Sequence, residues 1–428
     1  MKLNESLTAE WPGLTPRDAA LPDSAGLVVV TGVRRGGKTS FLAQCRADRV
    51  AEGRPRESQL LVSLDDERLT GLSVEDLAWL VDEHGRLYPG LAQEGGTTIY
   101  LDGVDLLPNW ERLVSFLGDA RALAIVVAGS HRSLLNAARS AGVRGTIAHV
   151  PVAPFSFREV LRHQGAEPAV GYSQLSGADR AWLDQRLRRY LAEGGFPGAT
   201  GAPPRERADL LRGYVDTILL REIVERHRVS SPQALRWMVR ELLCRPGGAF
   251  SVNKQYEALR ALGVPVGKDA LHEYLAYLED ACLIRTVCMH SASSRQRMVN
   301  PRLAYPVDPG LIGVFARTSR AQRGRGLEAV VLHELERWGW SAEYVRTAEI
   351  EQVTFLGRRD GESPLLLQVC AETEGDSTWD GAVAVLAEAR ASFPEARALI
   401  LTLDAVAPVN PLPAGLEWAS AAAWLLEG

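Results

Sequence analysis

The fold of this chain is decided by residues 27–40, which read Leu27-Val28-Val29-Val30-Thr31-Gly32-Val33-Arg34-Arg35-Gly36-Gly37-Lys38-Thr39-Ser40. The apolar run at the start predicts a buried strand, and the residues from Ser40 to Cys45 are compatible with a helix. Between them stands the pattern G-x-x-x-x-G-K-T, which frees backbone N–H groups at a helix N-terminus, where aligned peptide dipoles favour negative charge. The alternative is a glycine-rich turn before an ordinary helix. Because strand, full pattern and helix occur together, we favour a polyphosphate cradle.

A polyphosphate in such a loop is typically a nucleotide, so we expect ATP or ADP together with Mg2+. Lys38 would reach the β- and γ-phosphates, and Thr39 would bind the metal ion. The expected nucleotide contacts come from the loop and the first helical residues, namely Gly32, Arg35, Gly36, Gly37, Lys38, Thr39 and Ser40.

Length and composition limit the class of protein. At about 150 residues per domain, 428 residues predict two to four domains. The net charge of −5 argues against a globally basic nucleic-acid binder, although it allows a local basic patch. No run of 18 apolar residues exists, and the first 22 residues mix charges with prolines, so we expect no membrane span, no signal peptide and a cytoplasmic location. The five cysteines lack C-x-x-C spacing, which favours free thiols over disulfides or structural zinc.

A second acidic motif follows the next apolar strands. Residues Thr97–Asp102 form an apolar run that ends in a carboxylate, the Walker B form, so Asp102 is expected beside the loop as a Mg2+ ligand. The alternative is a strand-terminal aspartate that caps a turn. Gly103 occupies the place where many P-loop ATPases have a glutamate that polarises the attacking water. Asp105 is the candidate to position water instead, against a solvated loop aspartate.

The first 155 residues alternate strand and helix signals, which predicts a mostly parallel sheet covered by helices. A third strand, Leu123–Ala128, precedes Ser130. We interpret Ser130 as a polar sensor of the γ-phosphate, and it could equally be the N-cap of the helix that begins near Leu134.

In this order, the motifs resemble the bacterial and archaeal AAA-type ATPases that carry a C-terminal PD-(D/E)xK nuclease-like domain of uncharacterised function. The resemblance covers nearly the whole chain and rests on residues 32–39, 63–69, 101–110, 128–130, 152–159, 190–197, 218–223, 305–311 and 326–331. It implies an α/β protein made of an AAA-type P-loop core (1–160), a helical lid (161–230), a winged helix-turn-helix (231–312) and a restriction-endonuclease-like domain (313–428).

The chain departs from this family at the Walker B motif, where Asp102-Gly103 replaces the usual Asp-Glu. An Asp-Gly-x-Asp arrangement is similar to that of signalling P-loop ATPases and implies slow turnover, with the nucleotide used as a switch. The resemblance also implies an arginine finger, for which Arg144 is the nearest match, with a surface residue as the alternative. AAA-type architecture further implies a ring or a transient homo-oligomer as one arrangement.

The spacing of apolar residues over 231–283 also predicts a winged helix-turn-helix, a module that invites DNA binding. The third helix of this region carries more acids than bases, which disfavours direct reading of bases. The stretch from Arg285 to Arg325 is more basic. It could contact a DNA phosphate backbone or be a flexible solvated connector.

An active nuclease of the PD-(D/E)xK type needs a glutamate on the first helix, an aspartate on one strand and Glu-x-Lys on the next strand. Two acids hold Mg2+, and the lysine helps to activate the attacking water. Glu328 fits the first place. Thr354, Gln368 and Cys370 stand at the others and supply neither carboxylate nor amine. We therefore expect no nuclease activity.

Two hypotheses follow. The first is an ATP-dependent switch with slow hydrolysis, whose inactive nuclease-like domain serves for docking to a protein partner that the sequence does not identify, or to DNA. The alternative is a DNA-binding, DNA-stimulated ATPase in nucleic-acid processing or defence. A purely structural role is less favoured, because a complete P-loop has a use only when it binds a ligand.

Overall fold

The computed structural model describes residues 13–22, 26–69, 71–92, 96–120, 123–142, 146–316, 320–346, 352–371, 377–405, 408 and 411–427. The chain divides into two compact units. The N-terminal unit extends to Pro154 and includes Asp280–Cys282, and the C-terminal unit comprises Phe155–Glu279 and the chain from Leu283 onwards.

The described part of the N-terminal unit contains a five-stranded sheet made of β1 (Leu27–Thr31), β2 (Gln59–Ser63), β3 (Thr98–Asp102), β4 (Ala124–Gly129) and β5 (Ile147–Pro151). All neighbouring strands are parallel, in the order β2-β3-β4-β1-β5. Its helices are α1 (Lys38–Ala51), α2 (Val74–Leu87), α3 (Trp110–Ala120) and α4 (Ser133–Ser140). The predicted parallel sheet is confirmed.

Both faces of this sheet are buried. Alternate residues of β1 contribute to two apolar clusters: Leu27 and Val29 pack with α2, α3 and α4, whereas Val28 and Val30 pack with α1. Burial on both faces explains why the strands are nearly continuous apolar runs and why their register is fixed. Because β1, β3 and β4 are paired in parallel, their carboxyl ends lie along one edge of the sheet.

The C-terminal unit begins with helices α5 (Phe157–His163), α6 (Gly177–Glu193) and α7 (Pro204–Thr217), the last of which continues as a π-helical segment, Ile218–Glu225. Next come α8 (Pro232–Cys244), α9 (Val252–Ala261) and α10 (Lys268–Asp280). A small antiparallel sheet in the order β6-β8-β7 accompanies them, built from β6 (Gly248–Phe250), β7 (Ile284–Val287) and β8 (Arg302–Pro306), with α11 (Ser294–Val299) between the last two strands.

The end of the chain forms a mixed sheet covered by helices. The elements are α12 (Gly310–Phe315), α13 (Arg320–Arg337), β9 (Ser341–Arg346), β10 (Gln352–Arg358), β11 (Leu365–Cys370), α14 (Ser377–Ser392), β12 (Arg397–Thr402), β13 (Leu416–Ser420) and α15 (Ala421–Glu427). The strand order is β13-β12-β11-β10-β9, in which β9 to β11 are antiparallel and β11 to β13 are parallel. Helix α13 packs on one face of this sheet and α14 on the other.

Candidate functional site

The loop between β1 and α1 contains a close backbone contact and a tight turn, and both involve its glycines. A Cβ added at Gly32 would lie 1.9 Å from the carbonyl oxygen of Val152, so only glycine fits there. The Gly36 amide donates to the Val33 carbonyl at 3.0 Å and closes a turn. Arg35 adopts a left-handed φ of 65°, and Gly37 is the N-cap residue of α1. The predicted strand, loop and helix are therefore present in sequence order.

Lys38 is a nearly buried cation at the centre of this loop, with 9% of its surface exposed. Its Nζ donates to the carbonyl oxygens of Gly32 and Val33 at 2.9 and 3.1 Å and to Ser130 Oγ at 3.3 Å. Helix α4 begins at Ser133, and the residue at its N-cap is Arg132. Ser130 therefore does not cap this helix, and its hydroxyl lies beside the lysine.

Thr39 and Asp102 form the second part of the site. Thr39 Oγ1 donates to Asp102 Oδ2 at 2.5 Å, and only 5% of Asp102 is exposed. Burial raises the pKa of Asp102, while the Thr39 hydrogen bond and the Lys38 charge act to lower it. A hydroxyl beside a carboxylate offers the hard oxygen ligands that Mg2+ prefers when it also binds phosphates, so these two residues fit that ion.

A buried carboxylate also follows the Walker B strand. Gly103 has a φ of 72°, a conformation in which a glutamate would be strained. The Asp105 side chain is 7% exposed, and its Oδ2 lies 3.2 Å from Nδ1 of His131, which is 1% exposed. Burial acts to raise the pKa of Asp105, but the hydrogen bond and charge of His131, together with a backbone hydrogen bond and the Lys38 charge, leave this pKa below its usual value. Asp105 is thus buried beside His131 rather than solvated.

The same edge of the sheet therefore carries the ends of β1, β3 and β4 and the side chains of Lys38, Thr39, Asp102, Asp105 and Ser130. Gly36, Gly37, Arg35 and Ser40 lie in the loop and the first turn of α1. Arg144, the predicted arginine finger, lies outside the described residues.

The comparison with known families agrees with this geometry. Residues 24–161 match a family model described as an AAA domain. These residues form a P-loop AAA-type ATPase domain. Residues 184–322 of the chain match a second model, described as a domain of unknown function.

Proteins similar to this chain occur in archaea and bacteria. The chain is 26% identical to an uncharacterized protein of Methanocaldococcus jannaschii, over 80% of this chain and 74% of that protein. It is 25% identical to one of Haemophilus influenzae, over 82% and 84% of the two chains. Among solved structures, a Walker-type ATPase of Pyrococcus abyssi aligns with a TM-score of 0.42 and 15% identity, over 68% of this chain and 91% of that one.

In the C-terminal unit, Glu328 is held by neighbouring side chains. It lies on α13 and is 8% exposed. Its Oε2 accepts from the Tyr305 hydroxyl at 3.0 Å and from Arg325 Nη1 at 3.1 Å. Burial raises the pKa of Glu328, and the Arg325 charge opposes that change. The carboxylate expected at the first nuclease position is therefore already satisfied inside the protein.

The other nuclease-like positions are closed by neutral hydrogen bonds between β10 and β11. Gln368 Oε1 accepts from the Thr354 amide at 2.9 Å, and Thr354 Oγ1 accepts from the Val369 amide at 3.2 Å. Cys370 is buried at the end of β11. The Thr354 and Gln368 side chains satisfy the sheet's own backbone, and none of the three residues supplies a second carboxylate.

The described part of the basic stretch is folded rather than a flexible connector, since it contains β7, α11 and β8. Several of its basic side chains face carboxylates of the same unit: Arg285 pairs with Glu336, Arg302 with Glu279 and Arg325 with Glu328, and His290 Nδ1 lies 2.7 Å from Glu343 Oε2. Arg295 and Arg297 on α11 are exposed. Arg317 lies outside the described residues, as do the side chains of Arg320 and Arg323.

Among the described residues, no helix combines the length and the apolar composition that a bilayer crossing needs.

Proposed function

We propose that the protein binds ATP with Mg2+ in its AAA-type domain, hydrolyses it slowly and uses the bound nucleotide as a switch. The observation that carries this proposal is the pairing of an intact binding site with an altered Walker B end. Lys38, Thr39 and Asp102 lie together as nucleotide binding requires. Gly103, however, offers no carboxylate where a fast ATPase would place its base.

Each residue has a defined task in this proposal. The loop amides and the buried ammonium of Lys38 bind the β- and γ-phosphates, and Thr39 and Asp102 hold Mg2+. When bound, the metal ion neutralises charge on the phosphate oxygens. The Ser130 hydroxyl, which lies beside Lys38 Nζ, is placed to hydrogen-bond a phosphate oxygen.

We attribute slow hydrolysis to the lowered pKa of the Asp105 carboxylate. His131 orients this carboxylate, as a water-positioning group requires, and holds its pKa below the usual value. A carboxylate with a lower pKa is a weaker base, so it activates water poorly near neutral pH. We therefore assign Asp105 the role of a weak water-positioning group.

Strand order supports our domain assignment for the C-terminal unit. Strand β6 lies between α8 and α9, and β7 and β8 come after α10; together the three strands form a sheet in the order β6-β8-β7, an arrangement typical of a winged helix-turn-helix. The succession α13-β9-β10-β11-α14-β12, first antiparallel and then parallel, is compatible with a restriction-endonuclease-like core. With Glu328 engaged and Thr354 and Gln368 neutral, we assign this last domain to docking rather than cleavage.

The test compares ATP affinity and steady-state turnover of the full chain with those of three variants. Lys38→Ala should abolish ATP binding. Asp105→Asn should keep the affinity and lower the residual turnover by less than the roughly 100-fold that losing an effective general base costs, because Asp105 activates water only weakly. Arg112→Ala, which changes an exposed residue of α3, is the control and should behave as the wild type. Turnover near the enzyme median of about 10 per second, or unchanged ATP affinity in Lys38→Ala, would contradict the proposal.

A DNA-stimulated ATPase is the second candidate. It is favoured by the exposed Arg295 and Arg297 on α11, which lies between β7 and β8, the position of the wing in a winged helix. The exposed charges could contact DNA phosphates, and salt-dependent binding would reveal them.

A further inference from the structure

A buried arginine outside every predicted motif contacts the nucleotide loop. Arg17 lies ahead of β1 and is 7% exposed. Its Nη1 donates to the carbonyl oxygen of Gly36 at 3.2 Å, and its Nη2 donates to the carbonyl oxygen of Ala153 at 2.6 Å. One guanidinium therefore connects the loop to the segment that follows β5.

The backbone around this arginine is anchored to α1. The Arg17 amide donates to Gln44 Oε1 at 2.8 Å, and Gln44 Nε2 donates back to the Arg17 carbonyl at 3.4 Å. Ala19 and Leu21 pack against the apolar cluster that contains Phe41. Arg17 thus reaches the loop from a fixed backbone.

The contact with Gly36 has a direct consequence for the phosphate cradle. The Gly36 carbonyl and the Gly37 amide belong to one peptide unit, and in a planar trans peptide they point in opposite directions. No described peptide bond is cis. When Arg17 fixes the carbonyl, it also fixes the direction of the Gly37 N–H, one of the groups that a phosphate loop uses to bind its ligand.

The two ends of the loop are supported by adjacent residues. Gly32, at the start of the loop, packs against Val152, whose amide donates to the Thr31 carbonyl at 2.7 Å. Gly36, near its end, is joined through Arg17 to Ala153. A guanidinium is planar and always charged, so Arg17, which donates from two nitrogens to two separate carbonyl oxygens, supplies both a rigid connection and positive charge beside the loop that would bind phosphates.

We propose that Arg17 is a positioning residue for nucleotide binding, which holds the Gly36–Gly37 peptide in the orientation that binds a polyphosphate. This inference rests on the proposed ATP binding. Arg17 acts through the loop backbone rather than on the reacting atoms, so its loss should weaken nucleotide affinity and raise KM more than it changes kcat.

The experiment measures binding of Mg·ATP by calorimetry, and kcat and KM, on full-length wild type, Arg17→Ala, Arg17→Lys, Lys38→Ala and the exposed control Arg112→Ala. Arg17→Ala should raise the dissociation constant about tenfold, the usual effect of losing a charge-assisted hydrogen bond, with kcat at saturation unchanged. Arg17→Lys keeps the positive charge but lacks the planar guanidinium with its several N–H donors, so it should bind Mg·ATP more tightly than Arg17→Ala and more weakly than the wild type. Arg112→Ala should match the wild type.

The outcomes separate the two proposals. If the wild type binds ATP, Lys38→Ala does not, and folded Arg17→Ala binds like the wild type, the Arg17 inference is wrong and the proposed function stands. If the wild type does not bind ATP, both are wrong. Circular dichroism reports whether Arg17→Ala folds; if it does not, Arg17→Lys decides, and wild-type affinity and KM in that variant would overturn the inference.

Discussion

At the scale of one residue, the buried carboxyl group of Asp308 connects two segments of the C-terminal unit. It is 1% exposed, and its two oxygens accept from the amides of Gly195 and Gly310 at 2.7 and 2.9 Å. Burial raises the pKa of Asp308 to about 6, although the two amides and the charges of His333 and Arg337 act to lower it. The carboxylate joins the loop after α6 to the start of α12.

This raised pKa predicts a pH dependence of stability. An aspartate whose pKa is higher in the folded than in the unfolded chain binds its proton more tightly when folded, so its contribution to stability is complete below pH 4 and falls as the pH rises through about 6. Asp308→Asn removes this titration. The stability of the wild type relative to Asp308→Asn should therefore decrease between about pH 4 and pH 7, as measured by urea unfolding at several pH values. A constant difference, or one that grows with pH, would contradict the prediction.

The sequence predicts some of these residues and not others for a physical reason. Lys38 and Thr39 follow from the motif, because their roles depend on spacing within one loop. His131 and Arg17 depend on partners that are distant in the chain: His131 is 26 residues from Asp105, and Arg17 is 19 residues from Gly36. His131 does follow Ser130 directly at the end of β4, and that position is the one local signal that could have identified it.

At the scale of elements, β10 and β11 satisfy each other's polar groups at the positions where the sequence resemblance implied metal ligands. The Thr354 hydroxyl accepts the amide of Val369, and the Gln368 side chain accepts the amide of Thr354. Thr354 is 4% exposed, so water cannot take over these hydrogen bonds easily. A buried amide that loses its partner costs about 1–3 kcal/mol.

This arrangement predicts that one of two conservative substitutions at Thr354 lowers the free energy of unfolding more than the other. Thr354→Val keeps the shape but removes the acceptor for the Val369 amide, so it should lower the free energy of unfolding by about 1–3 kcal/mol. Thr354→Ser keeps the hydroxyl and loses one methyl group, so the expected loss is about 0.8 kcal/mol. Urea unfolding followed by tryptophan fluorescence measures both. A valine variant as stable as the wild type would show that this hydroxyl does not support the sheet.

Elements differ in how well the sequence predicts them. Strands β2, β3 and β4 are buried on both faces, so their apolar runs are visible in the sequence. Strand β9 carries Glu343 and Arg346, and β13 carries an exposed Glu417, so neither has the apolar run that indicates a strand. The π-helical segment at Ile218–Glu225 also escaped prediction, because the same apolar spacing fits an ordinary helix.

At the scale of the whole molecule, the distribution of charge bears on the choice between switch and DNA-acting ATPase. The chain carries a net charge of −5, and three of the arginines from Arg285 to Arg325 pair with glutamates. A protein that binds DNA nonspecifically needs cations that can neutralise phosphates. Paired cations contribute less to such binding, because each must first give up its carboxylate.

We therefore expect duplex and single-stranded DNA to leave ATP turnover unchanged. The test measures turnover and fluorescence anisotropy of labelled DNA at several salt concentrations, for the wild type and for Arg295→Ala/Arg297→Ala, which removes two exposed cations of α11. Binding that is weak at low salt and equal in both proteins would agree with a switch that senses another partner. If DNA instead raises turnover, if binding falls steeply with salt and if the double variant loses both effects, those two arginines contact the phosphate backbone. The DNA-stimulated ATPase would then be the better proposal, because the loss of both effects in one variant would show that DNA binding by Arg295 and Arg297 controls ATP turnover.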